Sequence, residues 1–306
     1  MPYFSVVITV YNKAEFIKST INSVLNQTFQ DFEVIVINDG STDESEHIIA
    51  SFTDKRITLI TTLNQGASVA RNTGIKASNC NYIALLDGDD LWDRDFLKYI
   101  KDAITTFPKE KIYATALSQK YPSKTVPVSY SFKQKKLYAI RDYFRSSKKY
   151  AILSSSSTVF EKSIINKTGN FDPSIVSGQD IDLWIRFALK HKVVFINKPL
   201  AIYNHVTSSL SNTAYTLKNK SKFDKYLNEE KENEDLKAYL DLNRYSMALL
   251  SKFLNDKTCY NYYTSFIDFK NLTARQTVLL KSPKWLLKLL LKLKSFKGEK
   301  LYYPVT

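Results

Sequence analysis

Short apolar runs separated by amphipathic segments dominate the first ninety residues. Four of these runs predict buried strands: Phe4–Val10, Phe32–Ile37, Ile57–Thr61 and Ile83–Leu86. Between them, apolar residues recur at helical spacing, and 67–77 predicts a complete helix. Successive strand–helix repeats with short connections predict an α/β fold, with a mostly parallel, doubly wound sheet.

Polar clusters follow three of the predicted strands. They are Tyr11-Asn12, the run from Asn38 to Asp43 around Asp39, and Asp87 to Asp90. In doubly wound sheets, ligands bind beyond the carboxyl ends of the strands. We therefore expect the three clusters to converge on one edge of the sheet.

Three carboxylates, those of Asp87, Asp89 and Asp90, follow the fourth strand within four residues. They would repel one another unless a cation lay between them, and oxygen ligands of this kind suit Mg²⁺ or Mn²⁺. The alternative is a solvated turn, in which Gly88 supplies the bend and the aspartates cap the next helix. The motif by itself leaves both interpretations open.

Several local predictions concern the starts of helices. The pairs Asn12 with Glu15 and Ser41 with Glu44 have the spacing of capping boxes. A helix is predicted over 138–144. Another is predicted from about Gln179, with Asp182 and Arg186 paired at i,i+4. Asp180, on the face shared with Trp184, is either a functional carboxylate or a first-turn cap.

Composition narrows the classes of function. The chain of 306 residues has a formal net charge of +14 and two cysteines, with no zinc-ligand spacing and no disulfide framework. The glycine motifs of dinucleotide and P-loop sites are absent from the sequence. Positive charge attracts polyanions, but a site lined by aspartates repels nucleic acid, so nucleic acid is not the expected partner.

The basic C-terminal stretch is amphipathic. From Lys281 to Phe296, leucines form one broad face and lysines recur on the other. The stretch is too short to span a bilayer. It predicts binding to an anionic membrane surface, packing against the protein's own body, or formation of a homodimer. No signal-peptide pattern follows Met1, so we expect a cytoplasmic protein, held peripherally at the inner face of the cytoplasmic membrane.

Five sequence blocks, in this order, resemble family 2 glycosyltransferases of the A-type fold, which transfer a sugar from a nucleotide-sugar with inversion. The blocks are Val10-Tyr11-Asn12, Asn38 to Asp43, Asn64-Gln65-Gly66 with Ala70-Arg71-Asn72, Leu86 to Asp90, and Gly178 to Trp184. The resemblance covers roughly Pro2 to Ser211. It implies a catalytic domain over 1–213. Beyond this domain, the residue pattern alone predicts a basic helical region over 214–306, with an amphipathic helix at 281–297.

The resemblance also implies a set of residues that bind the donor. Tyr11 and Asp39 would hold the nucleobase side, and Asp87 would approach the ribose. Arg71 and Asn72 would order the donor site. Asn12 and Asn64 belong to the same matching blocks and complete the predicted set.

For catalysis, the resemblance implies that Asp89 binds a divalent metal, Mn²⁺ or Mg²⁺, which bridges the donor diphosphate, and that Asp180 is the general base. Gln179 stands where the family frequently has Glu, which leaves Asp180 as the sole carboxylate of that pair. His205 lies one residue from the position of a family histidine that can reach the metal, and is a second metal candidate. The chemistry agrees, since an inverting transfer needs a base for the acceptor hydroxyl and positive charge for the leaving diphosphate.

The sequence therefore predicts a metal-dependent, inverting glycosyltransferase. Its partners would be a nucleotide-sugar donor and a glycan or lipid-linked glycan acceptor, in the assembly of a cell-surface polysaccharide. Two alternatives stay open at this point. One is a nucleotidyltransferase that makes an activated sugar, and the other is a basic nucleic-acid-binding protein.

Overall fold

The structure is a computed structural model that describes residues 2–205 and 223–296, and for 291–296 the backbone alone. Its strands are β1 (Phe4–Val10), β2 (Phe32–Asp39), β3 (Ile57–Thr62), β4 (Tyr82–Asp87), β5 (Leu91–Trp92), β6 (Ile112–Tyr121), β7 (Lys124–Pro127), β8 (Tyr138–Arg141), β9 (Thr158–Glu161) and β10 (Val193–Asn204).

The helices in the described parts of the chain are α1 (Ile17–Leu25), α2 (Ser45–Ala50), α3 (Ala67–Ala77), α4 (Phe96–Thr106), α5 (Tyr143–Ser146), α6 (Ile165–Thr168), α7 (Gln179–Ala188), α8 (Glu229–Glu232), α9 (Glu234–Phe253), α10 (Lys257–Ser265), α11 (Ala274–Lys281) and α12 (Lys284–Phe296). None of them is long and apolar enough to cross a membrane.

All the strands join one sheet, whose main order is β3-β2-β1-β4-β9-β6-β10-β5. Strands β1 to β4 are mutually parallel, as are β6 and β10, whereas β9 runs antiparallel between β4 and β6. The predicted α/β fold with a mostly parallel sheet and a helical C-terminal region is confirmed. Because β1, β2 and β4 are parallel neighbours, Val10, Asp39 and Asp87 end at one edge of the sheet.

Alternation along β1 builds two apolar layers. Val6 and Ile8 face a cluster with α1 and α4, whereas Val7 faces a second cluster that includes Trp184 of α7. Each of these side chains is at most 1% exposed. Since burying such a side chain stabilises the fold by about 1.5–3 kcal/mol, both faces of the sheet must be covered, as observed.

The C-terminal helices pack directly on this core. Leu236 and Tyr239 of α9 belong to the Trp184 cluster, and the Tyr239 hydroxyl lies 2.8 Å from that of Tyr143. Further along the same helix, Met247 belongs to a separate cluster built by the C-terminal helices alone. The predicted boundary between residues 213 and 214 lies outside the described residues and stays a prediction.

Both predicted capping boxes are wrong. Helix α1 begins at Ile17, beyond Asn12 and Glu15, and α2 begins at Ser45, without a side-chain hydrogen bond from the residue before it in either case. The polar side chains expected to cap them bond instead to the neighbouring loop, as described below. Capping spacing in a sequence does not reveal such a competing partner.

The helix predicted over 138–144 is also wrong in its first half. Tyr138–Arg141 is strand β8, paired antiparallel with β10. Only 143–146 is helical, started by Asp142, whose side chain accepts from the Arg145 amide. Tertiary pairing with a sheet edge overrides the local preference here.

Candidate active site

A cavity of about 540 Å³ opens at the carboxyl edge of β1, β2 and β4. Seven of the predicted site residues line it: Tyr11, Asp39, Asn64, Arg71, Asp87, Asp89 and Asp180. The expected convergence of the three polar clusters on one edge is thus what the structure shows.

The structure does not bring Asn12, Asn72 or His205 to the walls of this cavity. The Asn72 side chain makes two hydrogen bonds to the backbone of Phe171. Its Nδ2 donates to the carbonyl oxygen at 2.9 Å, and its Oδ1 accepts from the amide at 3.0 Å. The His205 ring stacks on Tyr121, at 4.5 Å between ring centroids. Asn72 therefore fixes the loop that leads towards Asp180.

Two loops at the cavity mouth brace each other through side-chain to backbone hydrogen bonds. The Thr42 amide donates to Asn12 Oδ1 at 2.8 Å, and the Asn12 amide donates to Ser41 Oγ at 3.0 Å. Asn12 has a positive φ of 52°, a conformation that asparagine tolerates better than most residues. This brace holds the preceding residue, Tyr11, at the mouth, where it is 46% exposed.

Asp39 organises the start of α3. Its two carboxylate oxygens accept from the amides of Gln65 and Gly66, at 2.9 and 2.8 Å, and its side chain is buried. Gly66 precedes the helix with φ of 90°, a conformation that favours glycine. The predicted base-binding role of Asp39 stays a prediction. What the structure adds is that Asp39 shapes the loop that carries Asn64.

Arg71 is a buried cation surrounded by acids. Its Nη2 lies 2.6 Å from Asp87 Oδ1, and its guanidinium packs 5.3 Å from the centre of the Phe171 ring. Burial acts to lower the pKa of Arg71, but the charges of Asp87, Asp180 and Asp89 raise it overall. Its Nη1 is buried and has no hydrogen-bond partner among the described residues. An unpaired charged donor is costly, so this atom favours an anionic or oxygen-rich ligand in the cavity.

The alternative of a solvated turn is wrong for Asp89 and Asp90, since these residues are only 9% and 1% exposed. Asp90 is a structural anchor. Its Oδ2 accepts a hydrogen bond from the Ser156 hydroxyl. Its Oδ1 accepts one from the backbone amide of Asn204, at 2.9 Å. Burial, reinforced by Asp89 and Asp87, raises the pKa of Asp90 well above its usual range.

Asp89 has a different partner. Its Oδ2 lies 2.5 Å from the ammonium nitrogen of Lys13, which follows the carboxyl end of β1 at the same edge of the sheet. Burial raises the pKa of Asp89, although Lys13 acts against that shift. Of the three carboxylates that line the cavity after β4, two are therefore already matched by a basic side chain, Asp87 by Arg71 and Asp89 by Lys13.

These residues fit a divalent metal in only one way. Among the described residues, there is no group of three or more histidine, cysteine, aspartate or glutamate side chains that could hold an ion. Mg²⁺ is commonly bound through one or two carboxylates together with the phosphates of a substrate. Asp89 suits a metal of that kind, which completes its coordination with a phosphate ligand. The site does not suit an ion held by the protein alone.

Asp180 lies in the first turn of α7, after Gly178, whose φ is 80°. Its Oδ1 accepts from the adjacent Ile181 amide at 2.9 Å. Burial raises the pKa of Asp180, and Arg71 partly opposes this shift. The side chain is thus a carboxylate with increased proton affinity that lines the cavity.

Asp182, two residues further on, is structural. The predicted pair with Arg186 is confirmed, at 2.9 Å, and Asp182 also contacts Lys225 at 2.5 Å and the Tyr226 hydroxyl at 2.6 Å. Because Asp182 is fully buried and bound on several sides, it ties α7 to the C-terminal region. Helix α7 therefore presents one aspartate to the cavity and one to the core.

Sequence reasoning missed parts of the cavity wall. Lys13 was overlooked, although it directly follows the matching block Val10 to Asn12. Phe223 and Met247 of the C-terminal region also line the cavity. Neither carries a sequence signal, because only the packing of α9 against the catalytic core brings Met247 there.

Comparisons with known proteins address the family. The model described as glycosyl transferase family 2 matches residues 5–169. The chain belongs to this family. Membership favours a sugar-transferring enzyme over the nucleotidyltransferase and nucleic-acid-binding alternatives, and it confirms the family suggested by the sequence blocks.

Several bacterial proteins named as glycosyltransferases are similar to this chain in sequence. A glycosyltransferase of Rickettsia bellii is 54% identical over 89 residues, which cover 29% of this chain and 13% of the relative. Glycosyltransferase RP339 of Rickettsia prowazekii is 28% identical over 250 residues, covering 77% and 70%. GlyA of Streptococcus pneumoniae is 28% identical over 224 residues, covering 68% and 31%. The chain thus spans less than a third of the first and third relatives.

The solved structure of S. aureus TarS 1–349 in complex with UDP-GlcNAc resembles this chain over most of its length. The TM-score is 0.64 at 18% identity, and the match covers 95% of this chain and 79% of TarS. A complex of the same TarS fragment with UDP gives a TM-score of 0.59. At this identity, the likeness shows a shared fold.

Proposed function

We propose that this glycosyltransferase moves a sugar from a nucleoside diphosphate donor to an acceptor hydroxyl with inversion at the anomeric carbon. The observation that carries the proposal is that one cavity contains both a charged cluster and a separate aspartate. Asp89, Lys13, Asp87 and Arg71 form a charged cluster at the strand ends, whereas Asp180 stands on a separate element, α7.

The charged cluster supports a diphosphate donor. Arg71 carries a buried donor atom that has no partner in the described part of the chain, and Lys13 places a second cation at the same edge. Two such cations suit the negative charge of a diphosphate. The TarS fragment, which shares the fold, is described in complexes with UDP-GlcNAc and UDP, and this supports a nucleotide-sugar donor for the present chain.

Asp89 would hold the divalent ion, Mn²⁺ or Mg²⁺. When bound, such an ion supplies positive charge that stabilises the departing diphosphate. Lys13 competes for the same carboxylate, since its ammonium group is 2.5 Å from Asp89 Oδ2. The ion is therefore expected to bind together with the donor, whose phosphates offer both the missing metal ligands and a new partner for Lys13.

Asp180 is the proposed general base. As the acceptor oxygen forms its bond to the anomeric carbon, the bond from that carbon to the diphosphate breaks, and the diphosphate leaves with the electron pair. The proton of the acceptor hydroxyl passes to Asp180. Since burial raises the pKa of Asp180, this carboxylate binds the proton more strongly than an exposed one would.

The acceptor is proposed to be a glycan or a lipid-linked glycan in the assembly of a cell-surface polysaccharide. The support is the basic C-terminal region, whose residues Phe223 and Met247 reach the cavity. An acceptor that approaches from this side would meet an apolar rim, in contrast to the charged donor side.

Slow hydrolysis of the donor tests the reaction class without a known acceptor. The full chain is incubated with UDP-, GDP- and dTDP-sugars and Mn²⁺, and the products are followed by proton NMR. We expect release of a nucleoside diphosphate and of a sugar whose anomeric configuration is first inverted. Release of a nucleoside monophosphate with a sugar 1-phosphate, or of a sugar with retained configuration, would contradict the proposal.

A further inference from the structure

In the part of the C-terminal helix α12 whose side chains are described, residues 284–290, one side packs against the protein and the other is exposed. Leu287 is 4% exposed and packs in the cluster that also contains Tyr263 and Leu280. Trp285 and Leu289, one helical turn apart on the other side, are 67% and 48% exposed. Surface helices of globular proteins place polar residues on the side that faces water. Helix α12 places a tryptophan and a leucine there, so packing against the protein's own body accounts for only part of its apolar surface.

The stretch of sequence around these apolar side chains is strongly basic. From Lys257 to Lys294 the chain has eight basic residues and one acidic residue. Lys288 is exposed on the same side of α12 as Trp285 and Leu289. Just before α12, the Lys281 ammonium lies 5.4 Å from the centre of the Phe269 ring, and both residues are exposed. The pattern of aromatic or apolar groups beside ammonium groups thus continues beyond α12 itself.

We propose that the outward side of α12, formed by Trp285, Lys288 and Leu289 and here called the α12 face, binds the surface of a bilayer that contains anionic lipids. Apolar side chains would enter the boundary between headgroups and acyl chains, and the lysines would meet lipid phosphates. Tryptophan suits this boundary because its ring is apolar and its N–H is polar. Each lysine close to an anionic surface adds attraction.

Charge complementarity favours a bilayer over the other occupants of such a face. A second copy of the chain would bring the same lysines together, and like charges oppose that contact. A nucleic acid would pair with the lysines, but it would leave Trp285 and Leu289 in water. An anionic bilayer is complementary to both kinds of side chain.

The face is connected to the cavity through one packed cluster. Leu287 of α12 belongs to the same cluster as Met247 of α9, and Met247 lines the cavity. A bilayer bound at the α12 face would therefore lie at a set position relative to the cavity. This consequence rests on the proposed function, and it gives a lipid-linked acceptor access at the Met247 side.

The three tryptophans make the proposal directly measurable. Trp92 and Trp184 are buried, at 4% and 1% exposure, so Trp285 alone is exposed to solvent. We would add vesicles of phosphatidylcholine, with or without 30% phosphatidylglycerol, to the full chain, record tryptophan emission, and measure bound protein by flotation. We expect a blue shift and flotation with the anionic vesicles, and neither with pure phosphatidylcholine.

Two charge-reversed variants provide the matched comparison. The first variant combines Lys281→Glu, at the end of α11, with Lys288→Glu, on the α12 face. The second combines Lys98→Glu with Lys109→Glu and makes the same change of charge at exposed positions elsewhere. The first should reduce the bound fraction more than tenfold, and the second less than twofold. Trp285→Ser with Leu289→Ser should also abolish flotation, whereas Ile140→Ser, at an exposed apolar position of β8, should not.

Three results would overturn the proposal. They are equal loss of binding in both charge-reversed variants, equal binding to neutral and anionic vesicles, and a blue shift that appears at high protein concentration without lipid. The last would show that a second copy covers the face. Unchanged melting temperatures of the variants serve as the folding control. Vesicle binding needs no donor or acceptor, so its failure is distinct from failure of the proposed transfer activity.

Discussion

The two sides of the cavity are built on different physical principles. On the donor side, parallel strands β1, β2 and β4 end together, a hydrogen bond joins the loops at Asn12 and Thr42, and ion pairs hold the charged residues Arg71, Asp87 and Asp89. On the proposed acceptor side, α7 and the C-terminal helices meet through apolar packing, with Asp180 and Met247 on separate elements. Hydrogen bonds and ion pairs order the donor side, and apolar packing orders the acceptor side. The donor side should therefore tolerate changes on the acceptor side, and transfer should be sensitive to both.

Substitutions of the two aspartates of α7 should have the largest effects, one on catalysis and the other on stability. We expect Asp180→Asn to lower kcat by about 10³-fold, because an amide cannot accept the proton, while donor affinity changes less than threefold. Asp182→Asn should instead destabilise the fold by about 3 kcal/mol, since it leaves Arg186 and Lys225 with a weakened buried partner. Kinetics with a verified acceptor and thermal unfolding measure the two effects.

If Asp180→Asn kept near-normal turnover, Asp180 would not be the base. If Asp182→Asn lost activity without losing stability, the assignment of the two roles to the two positions would be reversed.

The acid limb of the pH–rate profile tests the environment of Asp180. A base must be deprotonated to act, and burial raises the pKa of Asp180, so activity should be lost as pH falls through that raised value. The loss should begin at a higher pH than it would for an ordinary aspartate, and it should approach tenfold per pH unit. Arg71 opposes the rise in the pKa of Asp180, and lysine at this position keeps the positive charge. The Arg71→Lys variant should therefore also lose activity as the pH falls. A rate that is flat down to pH 4 would contradict this account.

Lys13 tests the donor side. Its ammonium group is paired with the Asp89 carboxylate and competes with a metal for it. Lys13→Met should therefore raise the affinity for Mn²⁺ alone by about tenfold, which corresponds to about 1.4 kcal/mol. The same variant should bind the nucleoside diphosphate with Mn²⁺ more weakly, because one cation for the phosphates is lost. Lys18→Met, at an exposed position of α1, is the matched control. Calorimetry measures both affinities. A fall in affinity for Mn²⁺ alone would show that Lys13 does not compete with the metal.

Met247 provides the smallest and most selective change. Met247→Leu conserves volume, so the free energy of unfolding should fall by less than about 1.5 kcal/mol. Since Met247 lies on the proposed acceptor side, we expect a few-fold change in the KM for the acceptor and an unchanged Kd for the donor. An effect on donor binding as large as that on the acceptor would show that the two sides are not independent.

The same contrast explains what the sequence could predict. The strands β1 to β4 and the residues at their ends follow from local apolar runs and polar breaks, so Asp39, Asp87 and Asp89 could be placed at one edge in advance. The family blocks added Arg71 and Asp180.

The remaining errors and omissions have a common cause. The capping of α1 and α2, strand β8, and the contributions of Lys13, Phe223 and Met247 all depend on partners distant in the chain. The ion pair of Lys13 with Asp89 spans 76 positions, and no local pattern announces it. Local sequence order predicts what neighbouring residues decide. It cannot predict which of several distant groups a polar side chain will choose.

The central claim is that Asp89 and the donor diphosphate share a divalent ion. It is tested most directly by thermal unfolding of the full chain with UDP, GDP, dTDP or CMP, each with and without Mn²⁺, in the parent protein and in Asp89→Ala. A ligand bound only to the folded state at 100 times its Kd stabilises that state by about 2.7 kcal/mol. The account predicts a clear rise in melting temperature with one nucleoside diphosphate, dependent on Mn²⁺ and lost in Asp89→Ala. The same rise without metal, or an undiminished rise in Asp89→Ala, would contradict it.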